Sequence, residues 1–232
     1  MADDLGDILT AQGPQPGRPL LGLTVLVVED SRFACEALRL LCLRSGARIR
    51  RADCLQSARR HLQTYRPTVV IVDLGLPDGS GLELITELAE RRPRVSVLLG
   101  TSGDSGGRAT AKAAGADGFL DKPVESLAAF QTAVLSALPA CGDYVGTPGL
   151  SDPVKPDRIA LRDDLAMAAT LLETGTDARR LDYVAQFLSG VALAAHDQPL
   201  ADAAQMLAAD PERGIGPLSG LVRRRLAAGQ GF

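Results

Sequence analysis

The chain has 232 residues, 46% of them apolar, with 25 basic and 28 acidic side chains and a formal net charge of -3. That is enough apolar material for a packed core, and the near balance of charge gives no support to a polyanion-binding surface, so nucleic acid is not an expected partner. No apolar run reaches the roughly 20 residues of a membrane span, and the acidic start lacks the basic-then-apolar order of a secretion signal, so the expected location is cytoplasmic, away from any membrane.

Residues 1–21 are rich in Gly, Pro and Asp without periodicity, which predicts a mobile arm. Short β-branched or leucine-rich runs then follow at 23–28, 47–51, 68–72, 95–100 and 117–121. They alternate with helical patterns at about 32–45, 55–64, 81–92, 106–115 and 125–139. Strand then helix, five times over residues 22–140, predicts an α/β domain: a five-stranded parallel sheet with helices on both faces. Residues 141–156 carry three prolines and three glycines and read as a linker. Beyond it, at about 157–173, 178–196, 200–209 and 214–228, every periodic segment is helical, giving a small all-α domain over 157–232. A unit of this size is near the lower limit for independent folding, so its core is expected to be completed by a second copy in a homodimer. Cys35, Cys42, Cys54 and Cys141 form no CxxC pair and read as reduced core fillers.

In an open parallel sheet the functional residues gather at the carboxyl ends of the strands. Here the first strand ends in Glu29-Asp30, the third in Asp73, the fourth near Thr101, and the fifth is followed by Lys122-Pro123. Three clustered carboxylates repel unless a cation holds them, and hard oxygen ligands suit Mg²⁺, so Glu29, Asp30 and Asp73 are the predicted metal ligands. Magnesium keeps positions for phosphate oxygens, which points to phosphoryl transfer, with Lys122 and Thr101 on the remaining phosphoryl oxygens. An aspartate that attacks a phosphoryl group becomes an acyl phosphate. Each piece alone has a plainer reading: Asp30-Ser31 can cap a helix, Asp and Gly-Pro turns close many strands, and Phe119 is a good strand residue. Their order on one sheet edge carries the argument.

The motifs "VLVVEDS" (25–31), "VVIVDLGLPDGSGLELI" (69–85), "VLLGTS" (97–102) and "AAGADGFLDKPV" (113–124) resemble those of the receiver domain of bacterial two-component response regulators. The resemblance implies strand order 2-1-3-4-5, Asp73 as acceptor of a phosphoryl group from a sensor histidine kinase or histidine phosphotransferase, and Glu29 and Asp30 as the acidic Mg²⁺ pair. It makes the backbone carbonyl of Gly75 a further metal ligand, Thr101 the switch hydroxyl, Lys122 the phosphate-binding lysine and Phe119 the mobile aromatic. The chain departs from the family pattern in the run "GTSGD", which leaves Ser102 as an alternative switch hydroxyl. Gly75 and Gly103 are also bare where larger side chains are usual, which predicts little steric shielding of an acyl phosphate. Such a domain assists its own phosphorylation and dephosphorylation without making the chain an enzyme.

The helical part is expected to act by contact with a downstream protein or by dimerisation. "AHDQPLADA" has some likeness to the phosphorylated box of histidine kinases, which gives one alternative: a degenerate dimerisation domain with phosphate on His196. The plainer reading is that Asp197 and Pro199 begin a new helix. "LVRRRLAAGQGF" offers three adjacent arginines and a second alternative, a DNA-binding output of unfamiliar fold. Residues 150–232 nevertheless hold nine basic and eleven acidic side chains.

Overall fold

The computed structural model describes residues 17–138, 153–174 and 177–228. The first half runs β1 (Thr24–Val28), α1 (Arg32–Ser45), β2 (Arg48–Ala52), α2 (Leu55–Thr64) and β3 (Val69–Asp73). A hairpin of β4 (Gly75–Leu76) and β5 (Gly79–Ser80) follows, then α3 (Gly81–Glu90), β6 (Val97–Ser102), α4 (Gly107–Ala113), β7 (Gly118–Asp121) and α5 (Leu127–Ser136). The five long strands form one parallel sheet in the order β2-β1-β3-β6-β7, the expected 2-1-3-4-5 once the hairpin is set aside. Val25 to Val28 of β1, all of β3 and all of β6 are buried, as valine- and leucine-rich strands covered on both faces must be. The edge strand β2, "RIRRA", keeps its arginines exposed, which discourages pairing with another chain.

One apolar cluster joins the sheet to α1 and α5 through Leu38, Leu41, Phe130 and Val134. The other joins it to α2, α3 and α4 through Leu55, Leu84, Ile85 and Ala111. Neither α1 nor α2 has an acidic residue in its first turn, and each borrows a carboxylate from elsewhere. Asp78 in the β4–β5 hairpin accepts from Leu55 N at 2.8 Å and Gln56 N at 2.9 Å, so the turn "PDG" caps α2. Gly46 ends α1 at φ 84°, a conformation suited to glycine.

The second half is helical: α6 (Arg158–Thr174), α7 (Ala178–Ala194), α8 (Gln198–Ala209) and α9 (Pro211–Ala228). These four helices bury Leu165, Leu172, Val184, Leu188, Leu207 and Val222 in a core of their own. Gly214 is needed where α8 meets α9, since a Cβ there would lie 2.3 Å from the Leu207 Cα. Asp197 caps α8 by accepting from Leu200 N, with Pro199 in the first turn, which is the helix start that the sequence suggests.

Three boundaries differ from expectation. Order begins before Leu23: Leu20 is fully buried and its amide donates to the Ser45 carbonyl, while residues 1–16 of the expected arm lie outside the described residues. Val154, at the end of the expected linker, packs into the α1/α5 cluster; residues 141–152 lie outside the described residues. β6 starts and ends two residues later than its sequence pattern, which brings Thr101 and Ser102 into the sheet. Cys35 and Cys42 are buried fillers as expected, whereas Cys54 caps α2 and Cys141 lies outside the described residues.

Candidate functional site

Parallel strands all end at one edge, so β1, β3 and β7 deliver Glu29-Asp30, Asp73 and Lys122 to the same place. Glu29, Asp30 and Asp73 each put a carboxylate oxygen within 4.8 Å of the other two. The Lys122 Nζ lies 2.8 Å from Glu29 Oε2 and 2.9 Å from Asp73 Oδ2, and its side chain is only 8% exposed. Burial works against the charge of Lys122, but the adjacent Asp73 and Glu29 outweigh it and hold the ammonium above the ordinary lysine range. Burial, with Asp73 next to it, pushes the Glu29 carboxyl well up. Burial likewise raises Asp30 to about 7, against the lowering effect of a hydrogen bond from Tyr183. Gly81 opens α3 directly beneath this cluster; a Cβ there would sit 1.9 Å from the Asp73 carbonyl oxygen, so glycine is the one residue that fits.

The remaining sequence candidates fall as follows. Gly75 lies in β4 and lines the cavity beside Asp73 and Lys122. Thr101 is in register with Asp73, but its hydroxyl donates to the Leu120 carbonyl at 2.8 Å. Ser102 lines the Asp73 cavity, and its hydroxyl oxygen accepts from Asp104 N at 3.1 Å. Phe119 is buried against the α4 side of the sheet, with the Arg108 guanidinium 5.3 Å from its ring centroid.

Helix α7 lies across this edge, a placement that its sequence pattern does not announce. The Tyr183 hydroxyl donates to Asp30 Oδ2 at 2.5 Å; burial, with the Asp30 charge beside it, pushes the phenol well above its ordinary range. The Gln186 side chain covers Gly75, Leu193 Cδ1 would lie 2.7 Å from a Cβ on Gly103, which itself stays exposed, and Gly190 would bring a Cβ within 3.8 Å of Lys122 Nζ. The expectation of an unshielded site is corrected at Gly75, where α7 supplies the cover that the missing side chain leaves open, while Gly103 stays exposed as expected. What is left beside Asp73 is a small, partly open cavity of about 20 Å³, enough for a water molecule by the usual ~10–15 Å³ criterion.

Helix α6 holds the same edge from the other side. Asp164, 2% exposed, accepts from Ser31 Oγ at 2.8 Å, Arg32 N at 2.9 Å and Phe33 N at 3.0 Å. It thus caps α1 from the helical half of the chain, beside the Ser31 hydroxyl that accepts from Ala34 N. Burial raises the Asp164 carboxyl, and the two backbone donors and the Ser31 hydroxyl oppose that rise. His196 ends the contact at the rim, exposed, with its Nε2 2.7 Å from Glu125 Oε1.

Asp164 left a trace in the sequence, being a charge three residues after Leu161 and one before Leu165 on a stripe that otherwise faces the core. Tyr183 and Gln186 left none, since a tyrosine and a glutamine on an amphipathic helix are ordinary surface residues.

A doubly wound parallel sheet whose strand ends gather three carboxylates around one buried lysine is the arrangement of a receiver, and comparison with known proteins agrees. A family model described as response regulator receiver domain matches residues 25–134. The chain is similar to the KDP operon transcriptional regulatory protein KdpE of Escherichia coli (35% identical over 99 residues, 43% of this chain and 44% of that protein). It is also similar to the photosynthetic apparatus regulatory protein RegA of Rhodobacter capsulatus (31% over 138 residues, 58% of this chain and 70% of that protein). Among solved structures it is similar to a response regulator protein from Burkholderia pseudomallei with a phosphorylated aspartic acid, calcium ion and citrate. The two are 28% identical over 50% of this chain and 68% of that one, with a TM-score of 0.44. The chain belongs to the response regulators and carries their receiver domain at its N-terminal side. It spans about half the length of KdpE. Among the described residues no helix is long and apolar enough to cross a membrane.

Proposed function

We propose that this chain is a cytoplasmic response regulator of a two-component phosphorelay in which Asp73 accepts a phosphoryl group from a phosphohistidine on a sensor kinase or histidine phosphotransferase. The observation that carries the reading is Lys122 Nζ bridging Asp73 and Glu29 inside a three-carboxylate cluster. Three hard oxygen donors this close fit Mg²⁺, which Glu29, Asp30, Asp73 and the Gly75 carbonyl would hold. When bound, that ion neutralises charge on the phosphoryl oxygens. Asp73 supplies the nucleophilic oxygen, and Lys122 balances the charge that builds on the transferred group. The hydroxyl that meets the phosphoryl group is that of Ser102, because the Thr101 hydroxyl is already committed to the Leu120 carbonyl.

The receiver then signals by changing how α6 and α7 sit on the strand ends. Phosphoryl entry competes for the space α7 fills, and magnesium competes with Tyr183 for Asp30. The helices, shifted but still seated on the strand ends, act by protein contact or dimerisation. A second reading, output to DNA, draws on the relatives named as transcriptional regulatory proteins.

The test is incubation with acetyl phosphate and Mg²⁺, followed by intact mass and by acid-stable against base-labile phosphate. The wild type is expected to gain one base-labile phosphoryl group that is absent in Asp73→Asn and in the presence of a chelator. Incorporation that persists in Asp73→Asn would move the acceptor elsewhere; acid-labile phosphate lost in His196→Ala would place it on His196. Light scattering and DNA retardation on the same loaded sample separate the two outputs.

A further inference from the structure

Three features meet beside Asp73. A Cβ on Gly75 would lie 2.5–2.7 Å from Cδ, Nε2 and Oε1 of Gln186, so the amide of that side chain lies flat on the bare backbone of β4. Gln186 and Gly75 line both the small cavity next to Asp73 and an open groove of about 530 Å³. Among the described residues no hydrogen bond holds that amide. Gln186 therefore stands between the groove and the small cavity that Asp73 lines, with its donors and its acceptor free.

An amide offers one acceptor oxygen and two donor hydrogens, so it can fix the orientation of a water molecule, yet it is no phosphoryl acceptor. In phosphoryl transfer the protein contributes mostly by positioning and by charge, and a glutamine that orients attacking water is one of the recurring parts. We propose that Gln186 is a positioning residue for hydrolysis of the Asp73 acyl phosphate, so that the helical domain resets its own receiver. The proposal rests on Asp73 being the phosphoacceptor. A cavity sized for water cannot also take a phosphoryl group, so phosphoryl entry turns the flexible Gln186 side chain toward the groove. From there the amide oxygen accepts from an incoming water and aims its lone pair at phosphorus. The water oxygen bonds to phosphorus and the bond from phosphorus to the Asp73 oxygen breaks, its electron pair returning to the carboxylate. The water's proton leaves with the inorganic phosphate. Lys122 meets the regenerated carboxylate charge.

The test uses the whole chain, wild type and Gln186→Leu; position 186 is exposed, so the substitution spares the core. Both are loaded from radiolabelled acetyl phosphate with Mg²⁺, the donor is removed, and loss of label is followed in buffer and in hydroxylamine. Hydroxylamine cleaves the acyl phosphate at its carbonyl carbon and needs no positioned water. The Leu variant is expected to hydrolyse about tenfold or more slowly, with hydroxylamine cleavage unchanged or faster. Equal hydrolysis rates overturn the proposal, and so do two rates that rise or fall together, which is what a shielding or packing role would give. Label that fails to depend on Asp73 removes the acceptor reading and this inference with it. Asp73-dependent label that decays equally in both proteins removes this inference alone.

Discussion

Lys122→Met is expected to destabilise the receiver by about 3–5 kcal/mol in the absence of divalent cation, because it leaves buried carboxylates facing one another without their shared counter-charge. Methionine keeps the length and the apolar stem of lysine, so the loss reports the ammonium rather than a cavity. Both partners are deep: the Glu29 side chain is 1% exposed and that of Asp73 10%. Water therefore screens the remaining repulsion poorly. Added Mg²⁺ is expected to recover part of the loss, since an ion that binds only the folded state stabilises by mass action. Urea unfolding of wild type and variant, with Mg²⁺ and with a chelator, measures both effects. A variant as stable as wild type in chelator would mean that the cluster is already relieved by protonation. One that ignores Mg²⁺ would mean that the carboxylates do not form a metal site.

Asp164→Leu is expected to loosen the contact between α6 and α1 by about 3 kcal/mol, as hydrogen bonds to a charged group contribute ~1.5–3 kcal/mol each and the amides lose their partner where water enters poorly. The helical bundle itself should remain folded, because Asp164 faces the receiver and lies outside the apolar cluster of α6 to α9. The specific readout is amide hydrogen exchange at Arg32 and Phe33, which should quicken by about a hundredfold if opening of this contact limits it. Exchange at the centre of β3 should change far less. Unchanged exchange at 32 and 33 would show that the α1 amides find another acceptor, and global loss of helical signal would show that Asp164 supports the bundle after all.

The receiver was legible because its determinants are local and ordered along the chain. An apolar run ending in Asp73, an acidic pair after the first strand and a lysine after the last each reveal a strand end, and parallel topology does the rest. Less was visible where a residue's role depends on its neighbours in space. Thr101 and Ser102 are adjacent hydroxyls in one strand, and only the strand's true end, two residues beyond the apolar pattern, separates the one bonded to Leu120 from the one beside Asp73. The "PDG" turn reads as a turn, and nothing in it tells that Asp78 caps a helix some twenty residues earlier. The helical half was legible as four helices with a core, but its docking was not, because α7 meets the receiver through a mixed set, Tyr183, Gln186, Phe187 and Leu193, that does not read as a second apolar stripe.

Gly75 and Gly103 sit in the loops that leave the sheet, where insertions and side-chain changes are normally tolerated. Here a methyl group at either position meets a side-chain tip of α7, Gln186 Cδ at 2.5 Å or Leu193 Cδ1 at 2.7 Å, although residue 103 itself stays exposed. A side chain at 75 or 103 is thus admitted only as Gln186 or Leu193 turns aside, which ties what these loops tolerate to two residues of a helix far along the chain. Variation at the strand ends and variation along α7 are therefore linked, and the two halves change in sequence together.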